Sequence, residues 1–238
     1  MKKQELKLVK EEVVINLRMS IFLLPSQLIP ILNAFITVVF IAHLGHDALA
    51  ASALVSVLWS ALVALFVGIL GTISILVSHY CGAADYKGIE HFMRNIWPAL
   101  VLMSLLLILL FTSSPYFFAH LKLHPNVIFQ TQAYVYALLW AAPALLYYIA
   151  LENFLLGLGK TQIGLIANLA ILILNLFLSF ILAFGLLNLP KLGIRGIGSG
   201  YASAYFLTSL GLSSYLFSSD FKTHRIFLIK TIIGIVNS

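Results

Sequence analysis

Long apolar stretches alternate with short polar breaks along the whole chain. A membrane-spanning helix needs about 20 consecutive, mostly apolar residues, and six stretches of the sequence reach that length. Their apolar positions are continuous rather than alternating, which favours helices over the strands of a membrane barrel. The pattern therefore predicts an all-α integral membrane protein with six transmembrane helices, at about 19–42, 49–77, 97–119, 131–156, 163–187 and 197–217.

Two flanking segments differ from the spans. Residues 1–18 mix charges with apolar residues at helical spacing, such as Leu6, Val9 and Val13. This pattern predicts an amphipathic helix on the cytoplasmic membrane surface, with a frayed, solvated leader as the alternative. Residues 218–238 begin polar and basic and end in an apolar run too short to cross a bilayer. We interpret them as the start of a cytoplasmic linker.

The composition agrees with a membrane protein and excludes several other classes. The 238 residues are 61% hydrophobic and only 9% charged, whereas soluble domains are about half apolar and about a quarter charged. So little charge leaves too little polar surface for a cytosolic enzyme, a disordered chain or a nucleic-acid-binding protein. The lipid bilayer is the expected environment, and no nucleic acid is expected as a partner.

The placement of lysine and arginine predicts the orientation. With the N-terminus inside, 11 of the 14 basic residues fall in cytoplasmic segments and 3 on the opposite side. Cytoplasmic loops of membrane proteins carry such an excess. The sequence therefore predicts a multi-pass protein of the cell membrane with both termini in the cytoplasm.

Two spans carry neutral polar residues at matching intervals. Seven and then four residues separate the three members of each series, so each series forms one stripe along a helix face. Lipid cannot hydrogen-bond these groups, so both stripes should face protein or a wet cavity. Two interpretations stay open: a shared lining for a solute or cation, and hydrogen bonding between helices. The residues are Ser26, Asn33 and Thr37 in the first span and Asn168, Asn175 and Ser179 in the fifth.

Glu152 is the one acidic residue inside the predicted spans. It lies near the predicted cytoplasmic end of the fourth span, so we interpret it as an interfacial carboxylate that reaches the lipid headgroups. The alternative is a functional group, which is the default for an ionisable residue deep in a membrane. The expected absence of a midplane acid argues against a proton relay contained in this chain.

Motifs of soluble enzymes have simpler explanations here. The segment 157–161 imitates the end of a phosphate-binding loop, but Phe154 occupies the position of the first glycine and no strand precedes it. Gly196, Gly198 and Gly200 are better explained by close helix packing. Histidine and cysteine pairs lack a third and fourth metal ligand. We therefore expect no enzyme, no metal site and no cofactor.

Short motifs in the loops and helix ends occur in a fixed order over residues 19–217. They are Phe40–Gly45 with Ala48–Ala51, then Gly68, Gly71 and Thr72, then Gly82–Asp85, then Asn153–Phe154 with Gly157–Thr161, and finally Leu174–Asn175 through Phe180, Gly185 and Leu192–Gly196. Each is weak alone. Together, at compatible spacing, they resemble the multidrug and toxic compound extrusion (MATE) transporters.

The resemblance implies a fold and an activity. Members of this family have twelve helices in two six-helix lobes related by a pseudo-twofold axis, and the substrate path lies between the lobes. They expel organic cations or drugs in exchange for H⁺ or Na⁺. By this resemblance the chain is the N-terminal lobe and the start of the interlobe linker. A second six-helix lobe, or a second copy of this chain, is the implied partner.

The sequence departs from the family at two positions. Thr37 stands where many bacterial members carry an aspartate, and Ser179 stands where some members have an acid. Hydroxyl and amide groups donate and accept hydrogen bonds but release no proton near neutral pH. The resemblance therefore implies that a coupling acid lies in the other lobe.

Two other functions remain as alternatives. A truncated, transport-inactive membrane protein or scaffold is favoured by the missing lobe and the missing acids. A lipid-linked oligosaccharide flippase of the same superfamily is disfavoured, because the predicted spans lack lysine and arginine except at their ends.

Overall fold

The computed structural model describes residues 2–119, 124–186, 188 and 190–218, with side chains described from residue 21 onward except at 117, 119, 217 and 218. The described residues form helices and contain no strand, as expected for an all-α protein. The helices are α1 (Lys2–Ala42), α2 (His46–Gly82), α3 (Tyr86–Thr112), α4 (Ser114–Ala119), α5 (Pro125–Leu139), α6 (Ala141–Gly157), α7 (Thr161–Phe184) and α8 (Ile194–Ser218).

The predicted leader and the first span form one continuous helix. Helix α1 runs unbroken from Lys2 to Ala42, although Pro25 and Pro30 each remove a backbone donor from it. The interfacial position of residues 1–18 stays a prediction. The linker predicted over 218–238 lies outside the described residues except for Ser218.

The helix ends coincide with the polar breaks of the sequence. The side chain of Asp85 accepts a hydrogen bond of 2.9 Å from the backbone N–H of Gly88 and so caps α3, as a residue with a short polar side chain does at a helix start. At the C-terminal end of α7, the residue that follows the helix is Gly185, with φ 73°. Glycine adopts this left-handed conformation without a Cβ clash.

The predicted fourth span, 131–156, is bent in the structure. It consists of α5 and α6, which meet at Trp140 with a bend of 45°. Pro143 explains the position of the break. Its ring would clash with the carbonyl of Leu139 in a continuous helix, whereas in the first turn of α6 its missing N–H removes no hydrogen bond.

The predicted third span, 97–119, also differs from the structure. Helix α3 begins earlier, at Tyr86, and ends at Thr112, and the short α4 follows after Ser113. Pro115 accounts for the interruption, because it lacks the N–H that would bond to the carbonyl of Phe111. Helix α2 is also longer than its predicted span of 49–77, because polar residues at both of its ends remain helical outside the apolar window.

Among the described residues, four helical segments are long and apolar enough to cross a membrane: Ile21–Ala42, His46–Gly82, Tyr86–Tyr116 and Thr161–Phe184. The bent pair α5–α6 makes a fifth. Helix α8 occupies the sixth predicted span but does not qualify by composition, because its glycine, serine and tyrosine residues lower the hydropathy. Its 25 residues still give a length of about 37 Å, which exceeds the hydrocarbon thickness of a bilayer.

Helices α6 and α8 lie at the centre of the bundle. Helix α6 is buried against α2, α3 and α8, and α8 packs most extensively on α7. Helix α1 packs mainly on α7. Large apolar side chains on the outer faces, such as Ile21, Phe35 and Leu102, are 65%, 66% and 68% exposed, as expected for surfaces in contact with lipid or with another membrane helix.

The three glycines at the start of α8 do allow close packing, as predicted. A Cβ on Gly196 would lie 2.5 Å from the backbone nitrogen of Ala183, and one on Gly198 would lie 2.6 Å from the Cβ of Ala137. A Cβ on Gly200 would overlap the backbone of Ser179. Glycine therefore brings the backbone of α8 directly against α7 at Gly196 and Gly200 and against α5 at Gly198, in the manner of small residues at membrane-helix interfaces.

Candidate functional site

The two predicted polar stripes meet face to face between α1 and α7. We call the six residues Ser26, Asn33, Thr37, Asn168, Asn175 and Ser179 the polar seam. Asn168 Nδ2 donates to Ser26 Oγ at 2.8 Å, and Asn175 Nδ2 donates to Asn33 Oδ1 at 2.7 Å. Both pairs are 142 residues apart in the chain, so the helices run parallel with a constant register.

The parallel register agrees with the topology. If α5 and α6 crossed the membrane separately, α7 would enter the bilayer from the side opposite to α1 and the two helices would be antiparallel. With the bent pair as one crossing, α1 and α7 are the first and fifth spans and point the same way. The seam therefore supports the interpretation of α5–α6 as one broken span.

Asn175 is the centre of the inner part of the seam. Its Nδ2 also lies 3.4 Å from Thr37 Oγ1, and Thr37 donates its own proton to the carbonyl of Asn33 at 2.7 Å. Ser179 Oγ donates towards Asn175 Oδ1 at 2.9 Å and lies 3.2 Å from the carbonyl of Ile197 on α8. Thus one amide joins α1 to α7, and Ser179 extends the contact to α8.

Two residues outside the seam contact its outer part through Asn168. Asn168 Nδ2 donates to Glu152 Oε1 at 2.7 Å, and the hydroxyl of Tyr148 donates to Asn168 Oδ1 at 2.9 Å. Tyr148 and Glu152 lie four residues apart on one face of α6. That spacing was visible in the sequence, but their joint contact with Asn168 on another helix was not.

The seam is inside this one bundle rather than on its surface. Ser26, Asn33 and Asn168 are 4%, 5% and 5% exposed, and Asn175 and Ser179 are 0% and 1% exposed. Thr37 is partly buried. In this conformation the polar groups satisfy one another across the helix interface, as membrane helices require of groups that lipid cannot hydrogen-bond. Contact with a solute would require α1 to separate from α7.

Aromatic rings pack behind the outer part of the seam. Tyr148 is 2% exposed, and its ring centroid lies 5.5 Å from that of Tyr205 on α8 in an edge-on arrangement. Tyr205 in turn lies 4.7 Å from Tyr201. Edge-on and tilted ring pairs of this kind are favourable. Trp59 also packs inside the bundle, against Phe111 at 4.9 Å. These rings therefore serve packing, whereas Trp140 is 81% exposed.

Within the part of the chain that the structure describes, no three histidine, cysteine, aspartate or glutamate side chains come together in a group that could hold a metal ion. The chemistry of the seam is therefore that of hydrogen bonding, and Glu152 is the carboxyl group that contacts it through Asn168.

Comparisons with known proteins place this geometry in context. The family model described as MatE matches residues 24–181. The "Probable multidrug resistance protein NorM" of Photorhabdus laumondii is 28% identical over 203 residues, which cover 84% of this chain and 44% of that protein. The "Multidrug resistance protein NorM" of Aliivibrio fischeri is 27% identical over 208 residues, covering 87% and 45%. The chain thus spans less than half the length of these relatives.

Solved structures match the fold over the same half. A eukaryotic MATE transporter, AtDTX14, superposes with a TM-score of 0.81 at 17% identity, over 95% of this chain and 50% of that one. A transporter of the MOP superfamily from Pyrococcus furiosus superposes with a TM-score of 0.76 at 19% identity, over 84% and 44%. The helices described above therefore form one half of a twelve-helix fold.

Proposed function

Because the chain belongs to the MatE family of membrane transporters, and is not an enzyme, we propose that it forms one six-helix half of an antiporter for organic cations or drugs. The observation that carries this proposal is the extent of the match, which takes in 84% of this chain but only 44% of the Photorhabdus relative. The coupling ion is H⁺ or Na⁺. The names of two relatives as multidrug resistance proteins support the substrate class.

A second six-helix unit completes the substrate path in this proposal. The path lies between two lobes, so one bundle supplies one wall. The second unit is the remainder of a longer polypeptide, a separate chain or a second copy of this one. The exposed apolar outer faces of the bundle, which include Ile21 and Phe35, provide surface for such a contact.

The polar seam is the proposed lining of this half. Its six residues line the path only in a conformation in which α1 and α7 have parted, because they are hydrogen-bonded to each other in the present one. Positions 37 and 179 carry threonine and serine rather than acidic residues, so the seam itself recognises solutes through amide and hydroxyl groups.

A cell-based assay tests the proposal. A bacterial strain lacking its own multidrug pumps would produce the chain alone, or the chain with its second six-helix unit. We expect the complete assembly to lower ethidium accumulation. The chain produced alone should leave accumulation unchanged if the second unit is a different polypeptide, and should lower it if the second unit is a second copy of this chain. The matched control is the complete assembly in cells whose proton and sodium gradients are collapsed, where ethidium should accumulate again.

The second candidate is a transport-inactive membrane protein or scaffold, and the missing acids at Thr37 and Ser179 favour it. It predicts the same ethidium accumulation with and without the complete assembly, which would overturn the proposed function. A flippase for lipid-linked oligosaccharides is less compatible, because a phosphate-binding cavity needs cationic side chains that the spans lack.

Labelling of Cys81 tests the proposed orientation. This single cysteine is partly exposed near the end of α2, on the side predicted to be cytoplasmic. A membrane-impermeant maleimide should label it in inside-out vesicles but not in intact cells.

A Cys81→Ser, Lys191→Cys variant is the matched control, because Lys191 is exposed on the opposite side of the bundle. It should show the reverse pattern. Labelling of Cys81 in intact cells would contradict cytoplasmic termini.

A further inference from the structure

Glu152 occupies an unusual position for an acidic residue of a membrane protein. It is the one acid in the six apolar stretches of the sequence, and it lies on α6, a helix largely buried by its neighbours. The residue is partly exposed, and its carboxyl group is hydrogen-bonded to the seam. Ionisable residues within membrane-spanning helices commonly mark ion or proton pathways.

The hydrogen bonds around Glu152 use every polar atom of the Asn168 amide. One N–H of Asn168 is directed at Glu152 Oε1 at 2.7 Å and the other at Ser26 Oγ at 2.8 Å, while Oδ1 accepts from Tyr148 at 2.9 Å. Asn168 thereby connects the carboxyl group on α6 to Ser26 on α1 through hydrogen bonds. A change in the charge of Glu152 changes the strength of its bond with Asn168, because charge-assisted hydrogen bonds are about twice as strong as neutral ones.

The surroundings of Glu152 suit a proton better than a metal ion. The N–H that faces Oε1 occupies the place that a cation would need on that oxygen. The ionisable groups on which Glu152 acts are the phenols of Tyr148 on its own helix and Tyr205 on α8. From α7 and from the described part of α1, the facing side chains are the uncharged Asn168 and Ser26. No cation among the described residues neutralises the carboxylate.

We propose that Glu152 is the residue of this half that binds and releases the exchanged proton. In the binding step one proton bonds to Oε2, the carboxyl group changes from −1 to neutral, and Oε1 still accepts from Asn168. Release returns the proton to water and restores the charge. No electron moves. The role of Glu152 in transport rests on the proposed antiport function. Its protonation does not, and can be measured on the chain by itself.

Infrared difference spectroscopy on the full chain in lipid tests the protonation directly. The carbonyl-stretch band of a protonated carboxyl group is followed as the pH is lowered. We expect the wild-type spectra to contain one such band that is missing from Glu152→Gln and present in Glu90→Gln, which makes the same chemical change on α3 outside the predicted spans. The band should return, shifted, in Glu152→Asp. Identical titrating bands in wild type and Glu152→Gln would overturn the proposal.

Transport by the complete assembly supplies the second readout. Glutamine keeps an acceptor for Asn168, so Glu152→Gln should fold and bind ethidium as the wild type does. Its proton-driven ethidium transport should fall to the level of empty liposomes, while Glu90→Gln should transport normally. Proton-driven transport by Glu152→Gln at the wild-type rate would overturn the assignment. A wild-type assembly that moves no ethidium would contradict the proposed function instead, and the infrared titration would then decide the role of Glu152 by itself.

Discussion

Replacement of Gly200 by alanine is expected to remove most of the folded protein. An added Cβ would overlap the backbone nitrogen, Cα and hydroxyl of Ser179, and backbone atoms cannot move aside by a change of rotamer. Overpacking in a tight interior usually costs about 1–3 kcal/mol and occasionally more. Because α8 packs more extensively on α7 than on any other helix, we expect a cost of about 3 kcal/mol or more, at the upper end of that range.

The measurement is the thermal unfolding of the detergent-solubilised protein, together with the fraction that elutes as a single species. Gly211→Ala is the matched control, because it makes the same change in the same helix where no atom lies within 4 Å of the added Cβ. It should be neutral or stabilising by up to about 1 kcal/mol, the difference in helix propensity. Equal unfolding temperatures for Gly200→Ala and Gly211→Ala would contradict the close approach of α7 and α8.

Replacement of Asn175 by alanine is expected to weaken the contact between α1 and α7. The change leaves Asn33 Oδ1 without its donor at 2.7 Å and removes the acceptor of Ser179 at 2.9 Å. Asn175 is 0% exposed, so water cannot substitute. A buried polar group left unpaired costs about 1–3 kcal/mol, although single hydrogen bonds between membrane helices average about 0.6 kcal/mol. We expect a loss of about 2 kcal/mol, within that range.

The matched control is Asn153→Ala, whose amide donates only to the carbonyl of Ile149 in its own helix. The lost hydrogen bond lies within one helix, so the substitution should lower the free energy of unfolding by less than about 1 kcal/mol. A double-mutant cycle with Asn33→Ala then isolates the pair. If Asn175→Ala lowers transport but leaves the amount and stability of folded protein unchanged, Asn175 contributes to the substrate path rather than to packing. That result would contradict a role of the seam in holding α1 against α7.

The sequence predicted the faces of the seam but not their meeting. The intervals of seven and four residues placed Asn33 and Asn175 on single helix faces, because helical periodicity follows from local geometry alone. Which face meets which depends on contacts between residues 142 positions apart, and one sequence contains no information on such distances. For the same reason, the sequence could not decide whether the two stripes line a solute path or form hydrogen bonds between helices.

The misjudged elements have local causes. Hydropathy measures transfer of side chains and not backbone continuity, so a continuous apolar run concealed the break at Trp140 and the one at Ser113. The prolines Pro143 and Pro115 carried the signal. The partner of Glu152, Asn168, lies on another helix and could be identified only in three dimensions.

The measurement that most directly tests the central claim is proton-driven ethidium transport by the natural assembly. A tag at the N-terminus, which is the proposed cytoplasmic end, would retrieve the chain from its native membranes with whatever second unit accompanies it. The purified assembly would be reconstituted into liposomes with a proton gradient. We expect a particle of twelve spans that exports ethidium only while the proton gradient is present. A particle made of one six-helix chain that transports as well, or a twelve-span particle that moves no cation, would contradict it.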